Sequence, residues 1–173
     1  MTVILPSAIA RLSYELLRQS HAAELQYALC DPRVYACINA SCPTPAELEA
    51  SFARKEAGAP ACRSDECWLD YTVRLIGSGV ALGRLEASVI GERAELAYLF
   101  GPGFWGQGYA SEGLVWLHDV LRGSHDVSEF WATVEPANIR SIRLLEGTGY
   151  SEAAPGTRPH ITSYNPGDRV FRR

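Results

Sequence analysis

A chain of 173 residues with 47% apolar and 21% charged side chains is long enough to bury a core and too apolar for a disordered polymer. Sixteen basic against twenty acidic residues leave a net charge of -4, which argues against a nucleic-acid binder recognised by overall charge. Five cysteines (30, 37, 42, 62 and 67), an odd count, point to reduced thiols rather than a disulfide framework.

The opening MTVILPSAIA has no basic region and is interrupted by Pro6, so it fits neither a signal peptide nor a membrane span, and a cytoplasmic setting is expected. Leu12 to Arg18 reads as a short strand, and Ser20 as the cap of a helix running to Leu29. Cys37-x4-Cys42 and Cys62-x4-Cys67 could be read as zinc ligands, but the spacing is loose and no His is close; small half-buried residues are the favoured reading, and no metal is expected. Thr44-Pro45-Ala46-Glu47 is a helix start with a capping Thr, Pro in the first turn and Glu three residues on; that helix carries Leu48 and Phe52 on one face and stops near Gly58.

Around Leu69, Tyr71, Val73 and Leu75 the period changes to two, which is strand spacing. Turns at Gly77-Ser78-Gly79 and Gly91-Glu92 separate further strands at Val80 to Val89 and Arg93 to Phe100, an antiparallel meander. A glycine-rich stretch, GPGFWGQGYASEG, leads into a helix over Tyr109 to Arg122 with Ala110, Leu114, Leu117 and Leu121 as its apolar stripe. Phe130 to Val134 is a strand, and Pro136 opens a last helix that runs through Leu145 and ends at Gly147 and Gly149. After Tyr150 come a weak strand, a Pro/Gly-rich loop (Pro155 to Gly167) and a strand at Arg169 to Arg172. The expected fold is a single mixed α/β (α+β) domain over 1–173, in the order β-α-α-β-β-β-α-β-α-β-β.

Leu99 to Glu112 carries the most chemical information. Glycines bring backbone close to a ligand, and the helix that follows offers free N–H groups and a positive dipole end, so an anionic phosphate group is expected there. A P-loop is excluded, because Gln107 and Gly108 stand where Lys and Ser/Thr are required. Gly101-Pro102-Gly103-Phe104-Trp105-Gly106 matches a dinucleotide loop by letter, but the strand before it belongs to a meander and too little chain follows for a doubly wound sheet.

The third candidate is an acyl-coenzyme A loop. Here Trp105-Gly106-Gln107-Gly108-Tyr109-Ala110, followed by Ser111 and Glu112, resembles the [Q/R]-x-x-G-x-[G/A] loop of the GNAT N-acetyltransferases. Gly108 and Ala110 match; Trp105 departs from the Gln/Arg start, as is common in the ribosomal-protein alanine acetyltransferase (RimJ/RimL-like) branch, which often reads WGKGYATEA. Asn138-Ile139-Arg140-Ser141 followed by Gly149-Tyr150 resembles that family's second motif. Asn138 and Ser141 are expected on one helix face, with Ile139 and Ile142 toward the core.

The resemblance implies a GNAT-like fold with a mostly antiparallel sheet of about seven strands and about four helices. It also implies transfer of an acetyl group from acetyl-CoA to a primary amine, of a small molecule or a protein N-terminus, directly in a ternary complex. The implied coenzyme residues are Leu99, Phe100 and Gly101 on the strand edge, Trp105, Gly106, Gln107, Gly108, Tyr109, Ala110 and Ser111 in the loop, and Asn138. A bulge is expected to splay this strand from its neighbour. Ser141 is implied as donor to the leaving thiolate, because Leu145 occupies the place where many family members carry Tyr.

Glu95 is the first candidate base and Glu86 the second, against a plain solvated sheet face for both. Glu112 reads as structural, His118, Trp116 and Trp131 as core, His125 and His160 as surface, and Arg140 and Arg143 as phosphate contacts or solvated helix faces. Tyr35, Asn39, Tyr71, His160 and Tyr164 are the expected acceptor-side residues. A monomer or homodimer without nucleic-acid or membrane partners is expected. Two other readings stay open: a catalytically degenerate acyl-CoA sensor or interaction module, and a nucleotide-dependent oxidoreductase.

Overall fold

The computed structural model describes residues 10–154 and 163–173. Within them the chain forms β1 (Leu12–Leu16), α1 (Ala22–Leu29), α2 (Pro45–Glu56), β2 (Glu66–Leu75), β3 (Ala81–Ile90), β4 (Arg93–Phe100), α3 (Tyr109–His125), β5 (Glu129–Val134), α4 (Ile139–Gly147), β6 (Ser151–Glu152) and β7 (Arg169–Arg172). This is the expected order. Among the described residues seven strands build one sheet, in the order β1-β2-β3-β4-β5-β7-β6. No helix among them is long and apolar enough to cross a membrane.

Local chemistry sets the helix ends. The Thr44 hydroxyl accepts from Glu47 N–H while the Glu47 carboxylate takes the Thr44 N–H at 2.8 Å, so the expected capping box forms. Ser20 does not cap α1; it lies in a 3-10 turn over Gln19–His21, and α1 begins at Ala22. Pro136 does not open the last helix either. Asn138 is the cap of α4, its side-chain oxygen accepting the Ser141 N–H at 3.2 Å, and the helix starts at Ile139. Ile139, expected toward the core, is 50% exposed because it is the first residue of α4, whereas Ile142, one turn further, is buried. Of the expected α3 stripe, Leu114, Leu117 and Leu121 are fully buried, whereas Ala110, in the first turn, is half-buried and faces the coenzyme cleft; the helix continues past Arg122 to His125.

The sheet separates two cores. On one face Leu85, Ala87 and Leu96 pack with Leu114, Leu117 and Leu121 of α3 and Ile142 and Leu145 of α4. On the other, Leu25, Ala28 and Leu29 of α1 pack with Leu48 and Phe52 of α2, and Leu99 joins them. Period-two alternation therefore decides which β4 side chains reach which layer.

The strands β2, β3 and β4 are antiparallel, as expected. β4 and β5 are parallel, but they pair only over Arg93–Glu95 and Glu129–Trp131. Past Glu95 the two strands are no longer paired, and among the described residues no strand pairs with the Leu96–Phe100 edge of β4 on that side; β7 lies along the other edge of β5. The expected opening is present, although the β3–β4 register runs without a shift from Gly83–Phe100 to Ile90–Arg93. On the opposite edge of this part of β4 the contact is tight: a Cβ on Gly83 of β3 would stand 2.1 Å from the Leu99 carbonyl oxygen.

Candidate active site

The opening at the end of β4 leads into two clefts. The first, of about 350 Å³, is lined by Leu99, Phe100, Trp105, Gly106, Gly108, Ala110, Ser111, Asn138 and Ser141, all expected coenzyme or catalytic residues, together with Arg140 and Arg143. The loop enters α3 through Gly106 and Gly108 at φ +75° and +79°, conformations that cost a glycine least. No side chain caps α3, so its first N–H groups and the positive end of a 17-residue helix are left for an anion.

Three predicted loop residues hold the cleft from behind instead of lining it. Gly101 packs on Ala28, where a Cβ would stand 2.8 Å from the Ala28 Cβ. Gln107 donates from Nε2 to the Gly103 carbonyl at 3.0 Å, and Tyr109 lies under the Arg11 guanidinium, 4.6 Å from its ring centre. Arg11 was not singled out in the sequence. Its side chain donates to the Glu112 carboxylate at 2.8 Å and to the Gln107 carbonyl at 2.9 Å, so it braces the loop and neutralises the carboxylate at the helix start. Trp105 owes its place to its indole N–H, which donates to the Phe100 carbonyl at 2.8 Å, and the Arg140 guanidinium stacks on its ring at 3.6 Å.

The second cleft, of about 310 Å³, lies between the α1–α2 side of the sheet and the 163–168 loop. Tyr35, Asn39, Arg84, Glu86, Ala97 and Asp168 are among its lining residues, and it shares Ile38, Tyr98, Leu99, Asn138 and Ser141 with the first. Asn39 donates to Asn165 at 3.2 Å, tying the two rims together. Tyr71, expected here, stands on the opposite face against Trp116, in edge contact at 4.9 Å, because it is out of step with Asp70 and Thr72. Tyr164 does not line the cleft, and His160 lies outside the described residues.

The two candidate carboxylates differ in setting. Glu86 lines the acceptor-side cleft; Lys55 Nζ reaches it at 2.5 Å and Arg84 at 2.8 Å. Burial would raise its pKa, but Arg84 and Lys55 together outweigh burial and hold it below the usual carboxylate range. Lys55 also bridges to buried Asp70 at 2.9 Å. Glu95 is not among the lining residues; its carboxylate accepts from the Ser163 hydroxyl at the cleft margin.

Ser141 has a partner that alternation hides from a linear reading. Tyr98 of β4 points to the α4 side, and its hydroxyl lies 2.7 Å from Ser141 Oγ. Burial, only partly offset by that bond, pushes the Tyr98 phenol up to about 12, so it stays protonated at neutral pH. Further from the clefts, the buried His118 is structural, with Nε2 2.8 Å from the Tyr150 hydroxyl and Nδ1 facing Arg173. The ligand atoms of Glu15, His21 and Glu24 lie within 4.8 Å of one another, but Arg74 ion-pairs with both carboxylates and His21 Nδ1 bonds Thr72. Among the described residues, none of the five cysteines belongs to a cluster able to hold a metal ion.

The fold that parts the sheet beside an uncapped, glycine-led helix start is shared, as an overall fold, by solved acetyltransferase structures. An acetyltransferase (GNAT family) from Bacillus anthracis superposes with a TM-score of 0.76 at 20% identity, covering 95% of each chain. A protein assigned as a ribosomal-protein-serine acetyltransferase from Vibrio cholerae gives 0.73 at 17% identity, over 96% of this chain and 95% of that one. Aminoglycoside acetyltransferase AAC(6′)-Ib in complex with coenzyme A gives 0.71 at 18% identity, over 94% of both. The acetyltransferase (GNAT) domain model matches residues 11–151, and the chain belongs to this family. The uncharacterized N-acetyltransferase p20 of Bacillus licheniformis is 38% identical over 60 residues; the match spans 35% of this chain and 34% of that relative's length.

Proposed function

We propose that this chain is an acetyl-CoA-dependent N-acetyltransferase that moves the acetyl group directly to a primary amine in a ternary complex. The observation that carries this reading is the meeting of two clefts at the parted end of β4. One has the chemistry for a pyrophosphate and the other a carboxylate for an amine, and both share Tyr98, Leu99, Asn138 and Ser141.

The N–H groups from Gly106 to Ser111 hold the pyrophosphate, the Trp105 N–H being spent on the Pro102 carbonyl, and Arg140 and Arg143 face the remaining phosphate charge. The free edge at Leu99 and Phe100 takes the pantetheine arm as an added strand, and a backbone N–H near Leu99 polarises the thioester carbonyl. Asn138 spends its side-chain oxygen on the Ser141 N–H, which leaves its NH2 group for the pantetheine. Ser141 donates a hydrogen bond to the departing sulfur.

Of the two carboxylates we favour Glu86 as the group that receives the amine, since it lines the cleft and Glu95 stands outside it. Held ionised by Lys55 and Arg84, Glu86 is a weak base that orients the amine by accepting a hydrogen bond, and the proton leaves through water. The acceptor is a small amine or a protein N-terminus; AAC(6′)-Ib is named for aminoglycosides and the Vibrio cholerae protein for a ribosomal protein.

A thermal-shift comparison of acetyl-CoA, coenzyme A and NADH tests the cosubstrate. Stabilisation by both coenzyme A forms and none by NADH is expected, and no stabilisation by acetyl-CoA well above micromolar concentration overturns the reading. Free-thiol release over a panel of amines then tests turnover. Binding without turnover on any amine points to the sensor instead.

A further inference from the structure

We infer that Tyr98 is a positioning residue for acetyl transfer: its hydroxyl donates to Ser141 Oγ and thereby turns the Ser141 proton toward the leaving sulfur. The inference rests on the acetyl-transfer reading above. The two oxygens are 2.7 Å apart, close enough for only one proton between them. Either oxygen can be the donor by distance alone, and the surroundings decide. Tyr98 has one proton, and its other neighbour, the Ser141 carbonyl, is a poor acceptor at 3.5 Å. With the Tyr98 proton on Oγ, the Ser141 proton is released to face the cleft that both side chains line.

A serine in a first helical turn commonly turns its hydroxyl back to the preceding carbonyls, where it is lost to a ligand. Here the tie runs across to β4 instead. It fixes the hydroxyl of α4 relative to the free strand edge along which the thioester would lie. Leu145, at the position where many family members carry Tyr, is fully buried in the core and has no polar group to offer.

Acidity limits what the pair can do. A phenol held at about 12 is a far weaker acid than a thiol near 8.5, so full proton transfer to the thiolate runs uphill by about three to four pH units. The pair therefore acts as an oriented hydrogen-bond donor. The amine nitrogen bonds to the carbonyl carbon, the C–S bond breaks with its electron pair on sulfur, and the amine proton passes to water. Ser141 stabilises the charge on sulfur without losing its own proton.

The test is a double-mutant cycle on kcat and KM, with acetyl-CoA affinity by calorimetry and the melting temperature measured on the same samples. Tyr98→Phe and Ser141→Ala should each lower kcat about tenfold, the loss of one transition-state hydrogen bond, with KM for acetyl-CoA within about twofold. In the Ser141→Ala background, Tyr98→Phe should change kcat by less than about twofold. Multiplying losses, or an unchanged kcat in Tyr98→Phe, overturn the proposal.

Fluorotyrosine placed at position 98 keeps the shape and sharpens the donor, and it decides the question even if the Phe variant does not fold. Its kcat should differ from that of wild type below the pH where it ionises, and an identical value overturns the proposal. Wild-type protein that binds acetyl-CoA but turns over no amine is a separate outcome, which overturns the acetyl-transfer reading and this proposal with it.

Discussion

Gly83→Ala is the sharpest test of how the fold makes the coenzyme slot. An added Cβ would lie 2.1 Å from the Leu99 carbonyl oxygen, 2.7 Å from the Phe100 Cα and 3.0 Å from the Leu99 carbonyl carbon. All three are main-chain atoms, so no rotamer change relieves the contact, and the end of β4 must retreat by about 1 Å. Overpacking of this kind costs about 1–3 kcal/mol, and the Gly101 N–H to Leu82 carbonyl bond at 2.9 Å is strained with it, for about 1 kcal/mol more. A total near 3 kcal/mol lowers the melting temperature of a domain this size by about 6–12 °C.

Leu99 and Phe100 line the coenzyme cleft, so the displacement should also weaken acetyl-CoA binding and lower kcat by up to about a hundredfold. Differential scanning calorimetry and isothermal titration measure the two effects. Gly123→Ala is the control: it lies in α3 with nothing near its Cβ, and should stabilise slightly, by about 0.4–1 kcal/mol. A Gly83→Ala protein that melts within about 2 °C of wild type and binds acetyl-CoA equally well would refute the reasoning.

Removing the shared cation with Lys55→Met leaves the buried Asp70 beside the partly exposed Glu86, which keeps Arg84 as its partner; a loss of about 2–3 kcal/mol is expected by denaturant titration. His118 is held neutral by burial first and by Arg173 and Arg122 second, its pKa lowered to about 3. Its contribution is complete above about pH 6.5 and falls away toward pH 3, at about 1.4 kcal/mol per pH unit; the acid loss of stability should be smaller by that slope in His118→Gln. Arg140→Ala, which unstacks the guanidinium from Trp105, should weaken acetyl-CoA about three- to tenfold and reduce the salt dependence of binding, both read by titration at two ionic strengths. Because Glu86 is held ionised, the rate should rise with pH toward the pKa of the amine with no inflection from Glu86 above the usual carboxylate range, and Glu86→Gln should lower kcat/KM without shifting that profile.

Local signals carried most of the elements. The Thr44–Glu47 capping box, the alternation through β2 to β4 and the α3 stripe all act within a turn or two of chain, and each appears where the sequence indicated. Element starts were less legible at α1 and α4, where Ser20 and Pro136 are credible openers that the structure passes over for Ala22 and the Asn138 cap. Asn138 was legible as part of the family's second motif, but not as the helix cap that it also forms.

By itself the sequence determined that a meander feeds a glycine-led helix start, because glycine conformation and uncapped N–H groups are properties of adjacent residues. Tertiary structure decided what meets there. Tyr98 and Ser141 are 43 residues apart and join only because α4 packs on the face to which Tyr98 points. Glu86 rather than Glu95 lines the acceptor-side cleft because β4 and β5 part after Glu95, and Arg11 reaches the loop from 101 residues away. Such encounters depend on which strand edge is left free and which face each helix covers, and no local spacing encodes either.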